Sequence, residues 1–111
     1  MKQIKLNIKT KTQKYPIYIG KNLISKISKL CKINKINFNQ CLLIVDKNVP
    51  KNFISSIKKS LKQKKIHVYF YNASEKNKNS KVIVNILEVL LNNNFSREDC
   101  IISVGGGITG D

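Results

Sequence analysis

The 111-residue chain has no tryptophan, two prolines, five glycines and three cysteines. Cys31, Cys41 and Cys100 are odd in number and none stands at Cys-x-x-Cys spacing, so neither a disulfide framework nor a zinc-thiolate motif is expected. Each cysteine sits in an apolar segment, so buried free thiols in a reducing compartment are expected. The one histidine, His67, lies in the alternating run 65–70 with no second ligand nearby. We expect a strand-face histidine without a partner rather than a metal ligand. No apolar run approaches the roughly 18–20 residues that cross a bilayer, and the amino terminus lacks the apolar stretch of a signal peptide. A cytoplasmic protein with no membrane partner is the expectation. Arginine is scarce as well. Only Arg97 joins the lysines in a basic total of 21, against six acidic residues and a net charge of +15. Arginine is the side chain that grips phosphate bidentately and reads guanine edges. The lysines are spread along the whole chain, and lysine, asparagine and isoleucine are over-used together, as AT-rich codons dictate. Nucleic acid is therefore not an expected partner. A small basic nucleic-acid-binding domain stands as the alternative outside enzymes.

Apolar residues make up 41% of the chain, enough for one small domain with a modest core. Ile4, Leu6 and Ile8 alternate with polar residues, the period of a half-buried strand. Residues 15–20 read as a second strand, with Pro16 near its start and 11–14 as the hairpin turn between. Leu23, Ile24, Ile27, Leu30 and Cys31 fall at helical spacing. Residues 41–45 are continuously apolar, which marks a strand covered on both faces in a parallel sheet. Pro50 suits the first turn of a helix whose buried stripe is Phe53, Ile54, Ile57 and Leu61. Residues 66–71 form the next strand. Ser80 can cap a helix striped by Val82, Ile83, Ile86, Leu87, Leu90 and Leu91, and 100–104 is the last strand. Strands are thus expected near 2–9, 15–19, 41–45, 66–71 and 100–104. The alternation predicts an α/β fold: a Rossmann-like parallel sheet with helices on both faces and a leading antiparallel hairpin, in one domain over 1–111.

In such a sheet ligands bind beyond the carboxyl ends of the strands. Those ends carry Asp46-Lys47-Asn48, the polar loop 72–79, and residues 105–111, where four of the five glycines gather. Gly105-x-Gly107-x-x-Gly110 follows a strand, as a phosphate-cradling turn must. It differs from the usual dinucleotide fingerprint because it follows the last strand of several and has no acidic residue about 20 positions on.

Gly-Gly-Gly-x-x-Gly-Asp after an apolar strand resembles the NAD-binding motif of the 3-dehydroquinate synthase family. Residues 15–20, 42–49, the Ser74-Glu75-Lys76-Asn77-Lys78 loop and residues 95–99 match that family in order. Iron-dependent alcohol and glycerol dehydrogenases share a Gly-Gly-Gly-x-x-x-Asp core but usually not the Gly-Asp ending. The loop departs from the family at Ser74, where glycine is preferred, and at Asn77, where an aromatic is frequent. The resemblance implies an NAD site on Asp46, Asn48, Glu75, Lys78, Gly106, Gly107, Ile108 and Asp111. It also implies a lyase of the shikimate pathway, which cyclises 3-deoxy-D-arabino-heptulosonate 7-phosphate to 3-dehydroquinate with loss of phosphate. A divalent metal, zinc or cobalt, and a homodimer are part of that expectation. The family's metal and catalytic residues have no counterpart in these 111 positions, so the chain reads as an incomplete amino-terminal NAD-binding domain. A related sugar-phosphate cyclase or a metal-dependent polyol dehydrogenase is the alternative among enzymes.

Overall fold

The computed structural model describes residues 3–72 and 80–106. In chain order they form β1 (Ile4–Lys9), β2 (Lys14–Ile19), a 3-10 turn (Ile24–Lys26), α1 (Ile27–Ile33), β3 (Gln40–Asp46), α2 (Lys51–Ser60), β4 (Lys65–Tyr71), α3 (Ser80–Asn92) and β5 (Cys100–Val104). The strands fall where the periodicity predicts them. The capping role expected of Ser80 concerns a side chain outside the described ones.

β3 is the middle of a parallel three-stranded sheet with order β4-β3-β5. Its register sets Cys41 beside Ile66 and Cys100, Leu43 beside Val68 and Ile102, and Val45 beside Phe70 and Val104. This row faces the first two helices: Cys41, Leu43 and Val45 are fully buried against Phe38, Ile54, Ile57 and Leu61. Leu42 is equally buried on the opposite face. That face carries α3, whose Asn85 reaches the Tyr69 hydroxyl of β4 (3.5 Å). The continuous apolar run of β3 thus has its predicted cause, a cover on each side.

Four expectations change. Phe53, expected in the buried stripe of α2, is exposed, while Ile54, Ile57 and Leu61 are buried. Pro50 stands at the N-cap of α2 with ψ near 137°, one position before the first helical residue. The fixed φ of proline still suits it to launch the helix from an extended residue. The wide stripe of α3 divides. Val82, Ile86 and Leu90 are half-buried, while Ile83, Leu87 and Leu91 turn outward, because one helix lays only one row of side chains on a sheet. The hairpin also differs. β1 and β2 form a sheet of their own, pairing Ile4 with Ile19, Leu6 with Ile17 and Ile8 with Tyr15 on one face. That face is open, with Ile4, Leu6, Tyr15, Ile17 and Ile19 between 39 and 48% exposed. The hairpin instead meets α1 through its other face, where the Tyr18 hydroxyl accepts a bond from Asn34 (2.9 Å).

Glycine scarcity shows in the turns. Lys35 after α1 and Asn94 after α3 both adopt left-handed φ, 58° and 56°. The residue after each closes the helix with an amide bond back across five positions, Ile36 N–H to Cys31 O (2.8 Å) and Phe95 N–H to Leu90 O (3.0 Å). Glycine is the usual residue in that conformation. Gly20 meets a different need: a Cβ there would lie 3.2 Å from the Gln3 Cα.

Candidate functional site

The carboxyl ends of the three parallel strands come out side by side. Asp46 ends β3, and its register partner on β4 is Tyr71. On the other side Val45 pairs with Val104, the last residue of β5, so Gly105 and Gly106 leave the sheet next to Asp46. The turn after β3 is held from three directions. The Asp46 Oδ1 accepts the Asn48 N–H (3.0 Å), the Asp46 carbonyl accepts the Val49 N–H (2.9 Å), and the Lys47 N–H reaches the Tyr71 carbonyl (2.8 Å). An aspartate bonding the amide two residues on is a local turn device. Here it fixes the half-buried carboxylate in place and leaves Oδ2 without a hydrogen bond from the described residues. Asn48 is exposed on the same turn.

Across the edge Gly105 has φ 151°, a conformation that side chains rarely adopt. At Gly106 the direction a Cβ would take is empty to 4 Å. α2 starts just beyond the Asp46 turn, with no acidic residue in its first turn and no side-chain cap. The positive end of its dipole is therefore not offset from within the helix. An acceptor for ribose hydroxyls, bare backbone for a pyrophosphate and a positive helix end fit an adenine dinucleotide. Asp46, Asn48 and Gly106 come out at the same edge of the sheet. Glu75, Lys78, Gly107, Ile108 and Asp111 lie outside the described residues. Tyr71 was legible only as a strand end; the register pairing that sets it beside Asp46 is not written in the local sequence.

The opposite, amino-terminal edge is a structural network. Gln40 Nε2 donates to Asp99 Oδ2 (3.1 Å) and to the Asn93 carbonyl (3.1 Å), and Gln40 N–H donates to Asp99 Oδ1 (3.3 Å). The Ser96 N–H, Gln40 and the Asn39 amide hold the Asp99 carboxyl below its ordinary value, with the Ser96 bond the largest cause. His67 is not partnerless as expected. Its Nε2 lies 3.2 Å from Gln40 Oε1 and its ring 5.5 Å from that of Phe95. It can find these partners because Gln40 starts the neighbouring strand on the same face. The thiols are free, but only Cys41 is fully buried; Cys31 and Cys100 are half-buried. Burial, helped by the neighbouring thiols, pushes Cys41 up to about 11. No group of three His, Cys, Asp or Glu side chains among the described residues could hold a metal ion. No helix among them is long and apolar enough to cross a membrane.

The fold and this edge define a Rossmann-like α/β protein with an acidic turn beside a glycine turn. The chain belongs to the iron-containing alcohol dehydrogenase family, whose sequence model matches residues 15–111. Within that breadth, relatives named 3-dehydroquinate synthase, the family its motifs resemble, match nearly the whole chain. It is 51% identical to the 3-dehydroquinate synthase of Pelagibacter ubique over 97% of this chain and 29% of that protein. It is 34% identical to that of Clostridium kluyveri over 100% of this chain and 31% of that protein. The fold is shared with a crystal structure of 2-deoxy-scyllo-inosose synthase complexed with carbaglucose-6-phosphate, NAD+ and Co2+. That match has a TM-score of 0.82 and 20% identity over 96% of this chain and 29% of the other. The chain spans less than a third of the length of these relatives.

Proposed function

We propose that the chain is the NAD-holding part of a 3-dehydroquinate synthase, a carbon–oxygen lyase of the shikimate pathway that acts on a keto-acid sugar phosphate. The observation that carries this reading is the adjacent exit of β3 and β5, which puts the fixed Asp46 carboxylate beside the open backbone of Gly106. In this reading Asp46 Oδ2 accepts from ribose hydroxyls, and the Asn48 amide group adds a donor and an acceptor on the same turn. The bare Gly106 backbone lets the pyrophosphate approach, and Glu75, Lys78, Gly107, Ile108 and Asp111 extend the site. When bound, NAD supplies reversible hydride acceptance. The 51% identity to a named synthase supports that chemistry over polyol oxidation. A divalent metal, zinc or cobalt, would need ligands other than these residues, since the one histidine is engaged with Gln40. Homodimerisation and a cytoplasmic location complete the proposal.

The test is NAD binding by calorimetry. The expected result is saturable, weak binding by the chain, reduced about tenfold by Asp46→Ala, equivalent to about 1.4 kcal/mol, and more by Gly106→Val. Affinity unchanged in both variants would sink the site. Phosphate release from the keto-acid phosphate, assayed with NAD and metal, is expected to stay at background with this chain alone; turnover would mean that catalytic groups lie within it.

A further inference from the structure

We propose that Tyr71 is the aromatic wall against which the adenosine half of the dinucleotide lies. The inference rests on the nucleotide reading above and adds to it a residue that the motif does not contain. Tyr71 is the register partner of Asp46 on the neighbouring parallel strand. Paired residues point to the same face, and the strands are about 4.8 Å apart. The Lys47 N–H to Tyr71 carbonyl bond (2.8 Å) continues the pairing past the strand ends, so the backbones that carry the ring and the carboxylate are held together.

The chemistry of adenosine matches this spacing. Its ribose diol and its base hang from neighbouring carbons, so a carboxylate that accepts from the 2′-hydroxyl leaves the base about one strand spacing away. Reached from the glycine turn on β5, the base projects across β3 toward β4, where Tyr71 stands. Tyr71 is half-buried, and its hydroxyl has no hydrogen bond to the described residues. The other three tyrosines are elsewhere. Tyr69 reaches Asn85 on α3, Tyr18 is bonded to Asn34, and Tyr15 lies on the hairpin. A flat ring is what a purine recognises without sequence-like readout, by stacking.

The chain has four tyrosines and no tryptophan, so its fluorescence reports tyrosine directly. Titrating the whole chain with NAD, AMP and nicotinamide mononucleotide separates the possibilities. We expect NAD and AMP to quench the emission saturably, and Tyr71→Leu to weaken both about tenfold while leaving nicotinamide mononucleotide unchanged. Tyr71→Phe should keep the calorimetric affinity within about twofold and lose the quench. If Tyr71→Leu binds NAD and AMP as tightly as the parent, or weakens the mononucleotide equally, the Tyr71 assignment is wrong and the nucleotide site stands. A quench that survives in Tyr71→Phe overturns the assignment even should the leucine variant fail to fold. Absence of saturable binding in the parent chain overturns both readings.

Discussion

Cys41 shows how much one side chain depends on its surroundings. It is a fully buried residue on the central strand, opposite Cys100 and packed in the core with Cys31. Burial removes water from the thiolate, and the two neighbouring thiols add to the effect, so its value rises from 9.0 to about 11. The raised group favours the folded state fully below 9.0, where the unfolded thiol is also neutral. That contribution is lost as pH rises toward about 11, because the unfolded thiol ionises first and folding must then take up a proton. Urea midpoints should therefore fall between pH 9 and 11, and Cys41→Val should flatten that decline; an identical decline in the variant would assign it to other groups. Asp46 and Asn48 were readable from sequence because they follow an apolar run with no glycine or proline between. His67 was misread for the converse reason. Its partner Gln40 is 27 positions away and meets it only through strand register.

At the level of elements, burial separates side chains that sequence treats alike. Leu43 on β3 is fully buried, whereas Leu91 on α3 is 77% exposed. Leu43→Ala should cost about 2–5 kcal/mol through lost contacts and a cavity. Leu91→Ala should stay within about 0.5 kcal/mol, and chemical denaturation of the two variants side by side checks the contrast. The apolar periods of β5 and of Ile54, Ile57 and Leu61 on α2 were legible because each forms a single row with one destination, and β3 was legible because both of its faces are covered. α3 was legible as a helix but not in its orientation, since a stripe two rows wide leaves the choice of facing row to the sheet beneath. The turns at Lys35 and Asn94 were hidden because the residue in the left-handed position is not glycine. The open face of the hairpin was hidden because alternation shows that a strand has an apolar side without showing what lies against it.

The whole molecule carries a net charge of +15, and such self-repulsion works against compactness. Salt screens it, so raising sodium chloride from about 0.01 M, where the Debye length is about 30 Å, to about 0.15 M, where it is about 8 Å, should raise the melting temperature by several degrees. A flat or falling melting temperature over that range would show that attractive pairs outweigh the repulsion. The strand order β4-β3-β5 has a further consequence, in the time order of synthesis. The middle strand is made before either neighbour: Gln40 finds His67 of β4 27 residues later and Asp99, next to β5, 59 residues later. Between those moments β3 has one open edge along Cys-Leu-Leu-Ile-Val, an uncharged, Pro-free run of the kind that pairs with other nascent chains. The charges of Asp46 and Lys47 close that run immediately. The carboxylate proposed to receive a ribose in the finished protein thus also acts as a gatekeeper on the unfinished one, and a neutral residue at position 46 carries a hazard during translation that no measurement on the folded chain registers.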